Sequence, residues 1–356
     1  MTGTKQTVAA PRRESRRMPA IWRALPLAPL LLAAAWTGPA RGANDDVSGF
    51  GVLQAELARL GVDVTRMPAP LHSAGHNKAA IVQRGNGNDA SISQKGGSNA
   101  AGIGQQGNAN DATIEQSGSG NLGAVLQVGN SQSAAVAQTG SLNLAYVRQG
   151  GTRNDGQVTQ GGVGNRANVL QNGSQNQAQV TQTESALTGQ NSGHKHHGKK
   201  ENRHDENEKE NRHDRDDEPA SFAQAFNEAL ILQQGEQNRA SIKQAGSVNN
   251  AAITQAGSRN NASIAQYGAA NQAQLNQMGD AQIAAVTQTG YLNQAFINQA
   301  GQGNQAYVRQ AGSANQAAVL QYGTNNYVQI SQAGNGLHTI VTQVGDNNRA
   351  TVVQGH

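Results

Sequence analysis

An eleven-residue repeat constrains this chain more than any other feature of its sequence. The unit N-x-A-x-[IV]-x-Q-x-G-x-x, of which residues 88–98 are one copy, recurs in register from Asn77 and again from Asn227. Its seventh position is Gln in all 22 units, and its fifth position is always Ile, Val or Leu. Agreement at a short fixed period is typical of chains that stack identical structural units, so the repeat decides the fold class.

The order of residue types within the unit predicts one β-strand and one turn. Positions 1, 3, 5 and 7 hold Asn, Ala, Ile or Val, and Gln, and on an extended strand these side chains point to one face. Positions 2, 4 and 6 vary freely, as expected of a solvated face. Positions 8 to 11 carry Gly and small polar residues, which favour a tight turn with positive φ. An α-helix does not fit, because the apolar spacing is two residues.

Two units form a strand-turn-strand-turn coil of 22 residues, and successive coils can stack at the strand spacing of about 4.8 Å. Stacking places each Asn or Gln above its equivalent, where the amides hydrogen-bond along the stack, while Ala and Ile or Val fill a thin core. All eight prolines lie outside the repeats, as central strands require. The predicted fold is all-β: a β-solenoid with a cross-β stack of coils.

Two sets of side chains are candidate functional residues of this solenoid. The amides predicted to form ladders are Asn88, Gln94, Asn99, Gln105, Asn110, Gln116, Asn143, Gln149, Asn238, Gln244, Asn249, Gln255, Asn304, Gln310, Asn315, Gln321, Asn348 and Gln354. The glycines predicted to form the turns are Gly96, Gly107, Gly118, Gly246, Gly257 and Gly312.

The first 42 residues have the pattern of a secretory signal peptide. A basic leader precedes an apolar run from Ala24 to Trp36, and small residues allow cleavage after Ala40 or Gly42. The run is short for a transmembrane helix. Ser15-Arg16-Arg17 also matches part of a twin-arginine export signal. Secretion of the mature chain is therefore expected.

The mature chain divides into four segments. Residues 43–76 lack the repeat and are predicted to be poorly ordered, although Val52–Leu60 has the pattern of one short amphipathic helix, with a role in export or capping as the alternative. Residues 77–186 form repeat array 1 and residues 227–356 form repeat array 2. The arrays are similar in sequence, which indicates duplication of one block.

Residues 187–226, between the arrays, differ in composition from the rest of the chain. Charged side chains dominate and apolar ones are scarce, so the segment is predicted to be a disordered linker. An alternative use of its charges is to keep two separately folded arrays apart and soluble during export. His194, His196 and His197 are weak candidates for binding Zn²⁺ or Cu²⁺, but their spacing matches no defined site. No metal site or cofactor is predicted.

Charge and composition exclude several classes of function. The excess of basic residues comes from residues 1–40, so the mature chain is close to neutral and no nucleic-acid partner is predicted. The chain has no cysteine, so stability has to come from stacking. The sequence contains no nucleophile-base pair, carboxylate dyad or phosphate loop. An enzyme with a small-molecule substrate is therefore not predicted.

The repeat resembles the curlin repeat, S-x5-Q-x-G-x-x-N-x-A-x3-Q, of curli fibre subunits. Residues 94–101 leading to Gln105, and residues 310–317 leading to Gln321, match its second half. The resemblance implies an extracellular functional amyloid on the surface of a Gram-negative bacterium, in a biofilm matrix. It further implies export through an outer-membrane secretion pore and seeding by a nucleator subunit. The chain departs from the family in its doubled array, in Asn for the leading Ser, and in residues 44–76, which are not Gly-rich.

The function predicted from the sequence is that of a structural subunit which self-associates into fibres. Stacked coils end in strands with unpaired backbone groups, and no polar cap is visible at either end of the repeats. The alternatives are a monomeric surface β-solenoid acting as an adhesin, and a nucleator of another fibre subunit. For an adhesin, the outward aromatic residues Tyr146, Phe296 and Tyr307 are candidate contacts, although aromatic residues also favour exposed strands for their β-propensity alone.

Overall fold

The computed structural model describes residues 76–183 and 226–355. All 22 elements in these ranges are β-strands. In chain order they are β1 (Lys78–Arg84), β2 (Asp89–Gly97), β3 (Ala100–Asn108), β4 (Asp111–Ser119), β5 (Leu122–Asn130), β6 (Ser133–Ser141), β7 (Leu144–Thr152), β8 (Asp155–Val163), β9 (Arg166–Ser174), β10 (Gln177–Thr183), β11 (Glu228–Glu236), β12 (Arg239–Ser247), β13 (Asn250–Ser258), β14 (Asn261–Ala269), β15 (Gln272–Asp280), β16 (Ile283–Tyr291), β17 (Gln294–Gln302), β18 (Gln305–Ser313), β19 (Gln316–Thr324), β20 (Tyr327–Asn335), β21 (His338–Val344) and β22 (Arg349–Gly355).

The strands alternate between two parallel sheets. The odd-numbered strands form one eleven-stranded sheet and the even-numbered strands form another, each in sequence order; we call them the odd sheet and the even sheet. Each strand pairs with the strand one coil further along, so that Ile242 of β12 lies beside Ile264 of β14. Two consecutive strands therefore make one coil of a β-solenoid, which confirms the predicted fold class.

The core between the sheets is thin and consists of a few residue types. Positions 1, 3, 5 and 7 of the unit point inward, as predicted: Ala240 and Ile242 of β12 are buried, whereas Lys243 at position 6 is exposed. Full burial of each aliphatic side chain contributes about 1.5–3 kcal/mol. Because one coil buries only two such side chains and two alanines, stability depends on the number of stacked coils.

The corners of the coil are tighter than the sequence predicts. All strands except β1, β10, β21 and β22 extend through position 10, so the glycine at position 9 lies inside a paired strand, at its bend; Gly96 in β2 has a φ of 102°. Only Ser98 and Asn99 separate β2 from β3. The residue at position 11 adopts left-handed backbone geometry whatever its type, including Leu142 with a φ of 56° and Val248 with a φ of 58°.

The two arrays meet without interrupting either sheet. β9 pairs with β11 and β10 pairs with β12, in the register that holds elsewhere, so Val180 lies beside Ile242. At this joint the guanidinium of Arg166 lies 5.1 Å from the centre of the Phe226 ring. The arrays are distinct blocks of sequence, as predicted, but they fold as consecutive parts of one stack and not separately.

Several predictions from the sequence lie outside the described residues. These are the signal peptide (residues 1–42), the N-terminal segment up to residue 75, and residues 187–225 of the linker with its candidate ligands His194, His196 and His197. Within the described ranges no helix is long and apolar enough to cross a membrane.

Candidate functional site

The inward glutamines form two continuous hydrogen-bonded ladders, one in each sheet. Gln94 of β2 donates from Nε2 to Oε1 of Gln116 on the next even strand, at 2.8 Å. The same nitrogen donates to the backbone carbonyl of Lys78 in the opposite sheet, at 2.9 Å. Each interior glutamine thus uses both amide hydrogens and its oxygen, linking neighbouring coils and the two sheets at once.

Neither glutamine ladder has a gap within the described residues. The odd-sheet ladder runs from Gln83 to Gln343 and the even-sheet ladder from Gln94 to Gln354. The interior glutamines are almost fully buried. Burial of an amide is tolerated because its hydrogen-bonding groups are paired, and each net bond contributes about 1 kcal/mol.

The asparagines at position 1 form ladders of the opposite polarity. Asn99 donates from its backbone nitrogen and from Nδ2 to Oδ1 of Asn77, in the preceding coil. Glutamines instead donate to the following coil. Asn99 also donates from Nδ2 to the backbone carbonyl of Gly118, at 3.0 Å, across the corner to the opposite sheet. Each such asparagine therefore belongs to the ladder of its own sheet and also donates a hydrogen bond to a corner glycine of the opposite sheet.

The asparagine ladder of the even sheet is interrupted twice, at Gln132 and Gln282. In both residues the longer side chain still donates to a corner carbonyl, that of Gly151 from Gln132 and that of Gly301 from Gln282. Their Oε1 atoms, however, are buried without a hydrogen-bond partner. These two positions are thus local faults in otherwise regular ladders.

The corner glycines are required by both backbone geometry and space. The predicted turn glycines all have φ between 102° and 119°. They are Gly96, Gly107, Gly118, Gly246, Gly257 and Gly312. A Cβ atom on Gly257 would lie 2.1 Å from the carbonyl oxygen of Gly279 in the next coil. No other residue combines this φ with such close stacking.

All of the predicted ladder amides lie on the inward face of their strands. Fourteen of the eighteen are buried, and the four half-buried ones belong to the first or last coil: Asn88, Gln94, Asn348 and Gln354. The structure brings the predicted asparagines, glutamines and glycines together at every corner. It adds one residue that the sequence analysis missed, Thr339, whose hydroxyl donates to Oε1 of Gln354 at 2.7 Å.

The two ends of the described stack present different hydrogen-bonding groups. At the end formed by β1 and β2, the Oε1 atoms of Gln83 and Gln94 accept no bond from another glutamine of the described ranges. At the end formed by β21 and β22, Nε2 of Gln343 and of Gln354 donates only across to the opposite sheet. One end therefore offers amide acceptors and the other offers amide donors.

The outer faces carry the variable and charged residues. Tyr307 packs against Tyr327 with ring centres 5.9 Å apart, and the Arg349 guanidinium lies 4.7 Å from the Tyr327 ring centre. Tyr146 and Phe296 occupy outward positions of the odd sheet. Hydrogen bonds from Ser258 lower the pKa of Asp280, whereas burial raises the pKa of Asp155. No group of three or more potential metal-ligating side chains occurs in the described part of the chain.

Comparison with known proteins agrees with this geometry. A family model described as the curlin associated repeat matches eight segments that together span more than half of the chain: residues 73–96, 85–118, 118–151, 151–183, 227–257, 284–312, 308–334 and 323–355. A search among curated proteins gave no match.

Proposed function

Because the chain belongs to the curlin repeat family, we propose that it is a secreted structural subunit that polymerises into extracellular fibres. The fibres would lie on the surface of a Gram-negative bacterium and serve biofilm formation, adhesion and surface attachment. The observation that carries the proposal is the complementarity of the two ends of the stack.

The end groups match in both ladders when two copies are placed head to tail. Free Nε2 hydrogens of Gln343 and Gln354 on one copy face the Oε1 atoms of Gln83 and Gln94 on the next. Asn88 of the second copy has its Nδ2 directed along the stack, toward Oδ1 of Asn348, in the polarity that interior asparagines use. In the two glutamine ladders and the even-sheet asparagine ladder the new contact would therefore repeat an interior step, whereas Leu337 ends the asparagine ladder of the odd sheet.

Backbone groups support the same contact. β1 and β2 are edge strands at one end of the sheets, and β21 and β22 are edge strands at the other. Edge strands template further pairing. The core is also open at the first coil, where Ile81 is 44% exposed. Because the two surfaces are different, the contact is heterologous and extends into an open filament.

Self-association is thus the main interaction in this proposal. A nucleator subunit and an outer-membrane secretion pore are the further partners that membership of the family implies. No cofactor is assigned.

Assembly of the purified mature chain tests the proposal. We expect amyloid-dye fluorescence to rise after a lag that preformed fibres abolish, and aligned fibres to diffract at about 4.7–4.8 Å along the fibre axis. A chain that remains a folded monomer for days at micromolar concentration would favour the monomeric adhesin instead. A chain that assembles poorly but shortens the lag of another subunit would favour the nucleator.

A further inference from the structure

The charged residues of the described strands are segregated by sheet and by array. In the odd sheet, the Asp, Glu, Lys and Arg residues of array 1 are all basic and those of array 2 are all acidic. The even sheet has the reverse arrangement, with Lys95 as its one exception. The odd-sheet residues are Lys78, Arg84, Arg148 and Arg166, then Glu228, Glu236 and Asp280; those of the even sheet are Asp89, Asp111, Glu115 and Asp155, then Arg239, Lys243, Arg309 and Arg349. Each sheet therefore reverses the sign of its charge at the joint between the arrays.

This pattern makes the two sheets electrostatically complementary to each other. When two stacks lie side by side with the same direction and the same axial register, the odd sheet of one copy faces the even sheet of the other. Basic residues then face acidic ones along array 1, and acidic residues face basic ones along array 2. Reversing one stack would instead bring like charges together across an odd sheet and an even sheet. Complementary potentials of this kind select the partner surface and its register.

The same two surfaces are complementary in side-chain size near the joint. Leu170 of β9 and Leu232 of β11 are neighbours at outward position 6 of the odd sheet, and Leu230 follows the same pattern at position 4. The even sheet has a shallow depression at these coils, lined in part by Ser241 and Ser263. The leucine ridge of one copy therefore fits the depression of the next, whereas two odd sheets would bring two ridges together.

The arrangement of strands within a coil identifies one charge pair across this contact. Gln244 of β12 donates from Nε2 to the backbone carbonyl of Glu228 in β11, at 2.9 Å, so position 7 of the even strand lies opposite position 2 of the odd strand. The outward residue next to Gln244 is Lys243. A copy shifted sideways by the width of one stack therefore brings its Glu228 toward Lys243 of its neighbour.

We propose that filaments of this chain associate sideways, parallel and in register, through the odd sheet of one filament and the even sheet of the next. The occupant of each surface is a second copy of the same chain. This inference rests on the proposed function, since it concerns the sides of filaments whose ends have already joined. An exposed ion pair contributes little by itself, but each pair recurs once per copy, so the contributions add along two filaments.

Reversal of one charge tests the proposal against a matched control. Lys243→Glu places a carboxylate toward Glu228 of the neighbouring filament. Arg309→Glu makes the same charge change at the same position of the same sheet, but opposite Gln294, to whose backbone Gln310 donates. Lys243 and Arg309 each have two uncharged neighbours in the sheet. At low ionic strength, Lys243→Glu should reduce the fraction of bundled filaments in electron micrographs at least about threefold, and Arg309→Glu should reduce it clearly less.

Seeded elongation, followed by amyloid-dye fluorescence, separates this inference from the proposed function. Both variants should elongate at the rate of the parent chain, because the amide ladders at the ends of the stack are unchanged. Adding Glu228→Gln to Lys243→Glu removes the like-charge pair and should recover part of the bundling. Equal bundling in Lys243→Glu and Arg309→Glu filaments would overturn the inference alone. A parent chain that forms no filaments would refute the proposed function and this inference with it.

Crosslinking identifies which sheets meet. Because the natural chain has no cysteine, Leu230→Cys marks the odd sheet and Ser241→Cys marks the even sheet. Packed sheets lie about 10 Å apart, within reach of a short bismaleimide. The reagent should join the two variants when their filaments are mixed, and should join neither variant to itself. Crosslinking of one variant to itself would show that like sheets meet in antiparallel filaments, and would contradict the proposal, as would a mixture that gives no crosslink.

Discussion

Gln182 and Gln244 are 62 positions apart in the sequence, yet Nε2 of Gln182 donates to Oε1 of Gln244 at 2.8 Å. This is the geometry of every other step in the even-sheet ladder, where partners are 22 positions apart. The stack therefore passes from array 1 to array 2 without a change of register. The joint between the arrays is chemically the same as any interior step.

This joint predicts that the arrays remain together after the chain is cut between them. A specific protease site introduced within residues 194–218 should yield two fragments that co-migrate in native size-exclusion chromatography. Their hydrogen bonds and paired strands hold them without a covalent link. Gln182→Ala should weaken this association, whereas Gln116→Ala, away from the joint, should not. Separation of the parent fragments under native conditions would contradict the continuous stack.

Repairing the asparagine ladder should stabilise the protein. Gln132→Asn and Gln282→Asn each remove a buried Oε1 that has no hydrogen-bond partner. The new Oδ1 would be placed to accept from Nδ2 of the asparagine in the following coil. Since an unsatisfied buried acceptor costs about 1–3 kcal/mol, each change should raise the free energy of unfolding by about 1 kcal/mol. Denaturant unfolding measures the gain. As a control, Gln288→Asn shortens a side chain in an intact ladder and should destabilise.

The corner glycines should be far less replaceable than their neighbours. In Gly151→Ala the new Cβ would lie 2.0 Å from the carbonyl oxygen of Gly173, at a φ of 106°, so a loss of at least about 2–3 kcal/mol is expected. Gly161→Ala is the control, since its Cβ would meet only Thr183 Cγ2, at 4.0 Å. That change should alter stability by less than about 0.5 kcal/mol. Similar losses in both variants would argue against the stacked corner.

Filament growth should depend more on the terminal coils than on interior ones. The paired change Gln354→Ala and Asn348→Ala should slow seeded elongation roughly fivefold or more, since about 1 kcal/mol is lost for each capturing hydrogen bond. The interior pair Gln288→Ala and Asn293→Ala should slow it less, because an interior ladder is templated on both sides. Equal slowing in both pairs would refute this asymmetry.

Two aspartates on the outer faces should have opposite effects on stability with pH. Burial raises the pKa of Asp155 above its ordinary 3.8, so ionisation destabilises the fold as pH rises through that range. Asp155→Asn should therefore unfold at higher denaturant concentration than the parent at pH 7, with a difference that shrinks as pH falls through the raised pKa and is lost below the ordinary value of 3.8.

Asp280 is the matched control for this experiment. Hydrogen bonds from the Ser258 hydroxyl and backbone N–H lower the pKa of its carboxyl, so its contribution is present at neutral pH and is lost as pH falls through that lowered pKa. Asp280→Asn should be less stable than the parent at pH 7, and this deficit should disappear in acid. If both variants were more stable than the parent at pH 7, or both less stable, the causes given for the two pKa shifts would be contradicted.

The fold followed from the sequence because one periodicity determines nearly all of it. A spacing of two within the unit distinguishes inward from outward residues, and the fixed period of eleven places like residues beside each other in stacked coils. The pairing of Asn99 with Asn77, and of Gln94 with Gln116, could thus be anticipated from residue type and spacing alone.

Other features have no signal in residue type. Position 11 adopts positive φ with Leu142, Arg153 or Val248 as readily as with Gly, because the stacked corner imposes it; a residue-by-residue rule therefore cannot find it. The opposite polarities of the glutamine and asparagine ladders likewise have no signal in residue type, because both side chains end in the same amide group. The two arrays form one stack because the last strands of array 1 pair in register with the first strands of array 2. The change in composition between the arrays gives no sign of this pairing.

Continuity of the ladder also fixes the points along a filament at which the charged sequence between the arrays is attached. The described part of array 1 ends at Thr183 and that of array 2 begins at Phe226, once in each set of eleven coils. At about 4.8 Å per coil, a head-to-tail filament would bear one such segment roughly every 53 Å. The polymer would then have a long axial period of charge superimposed on its short strand spacing, and small-angle diffraction could detect it.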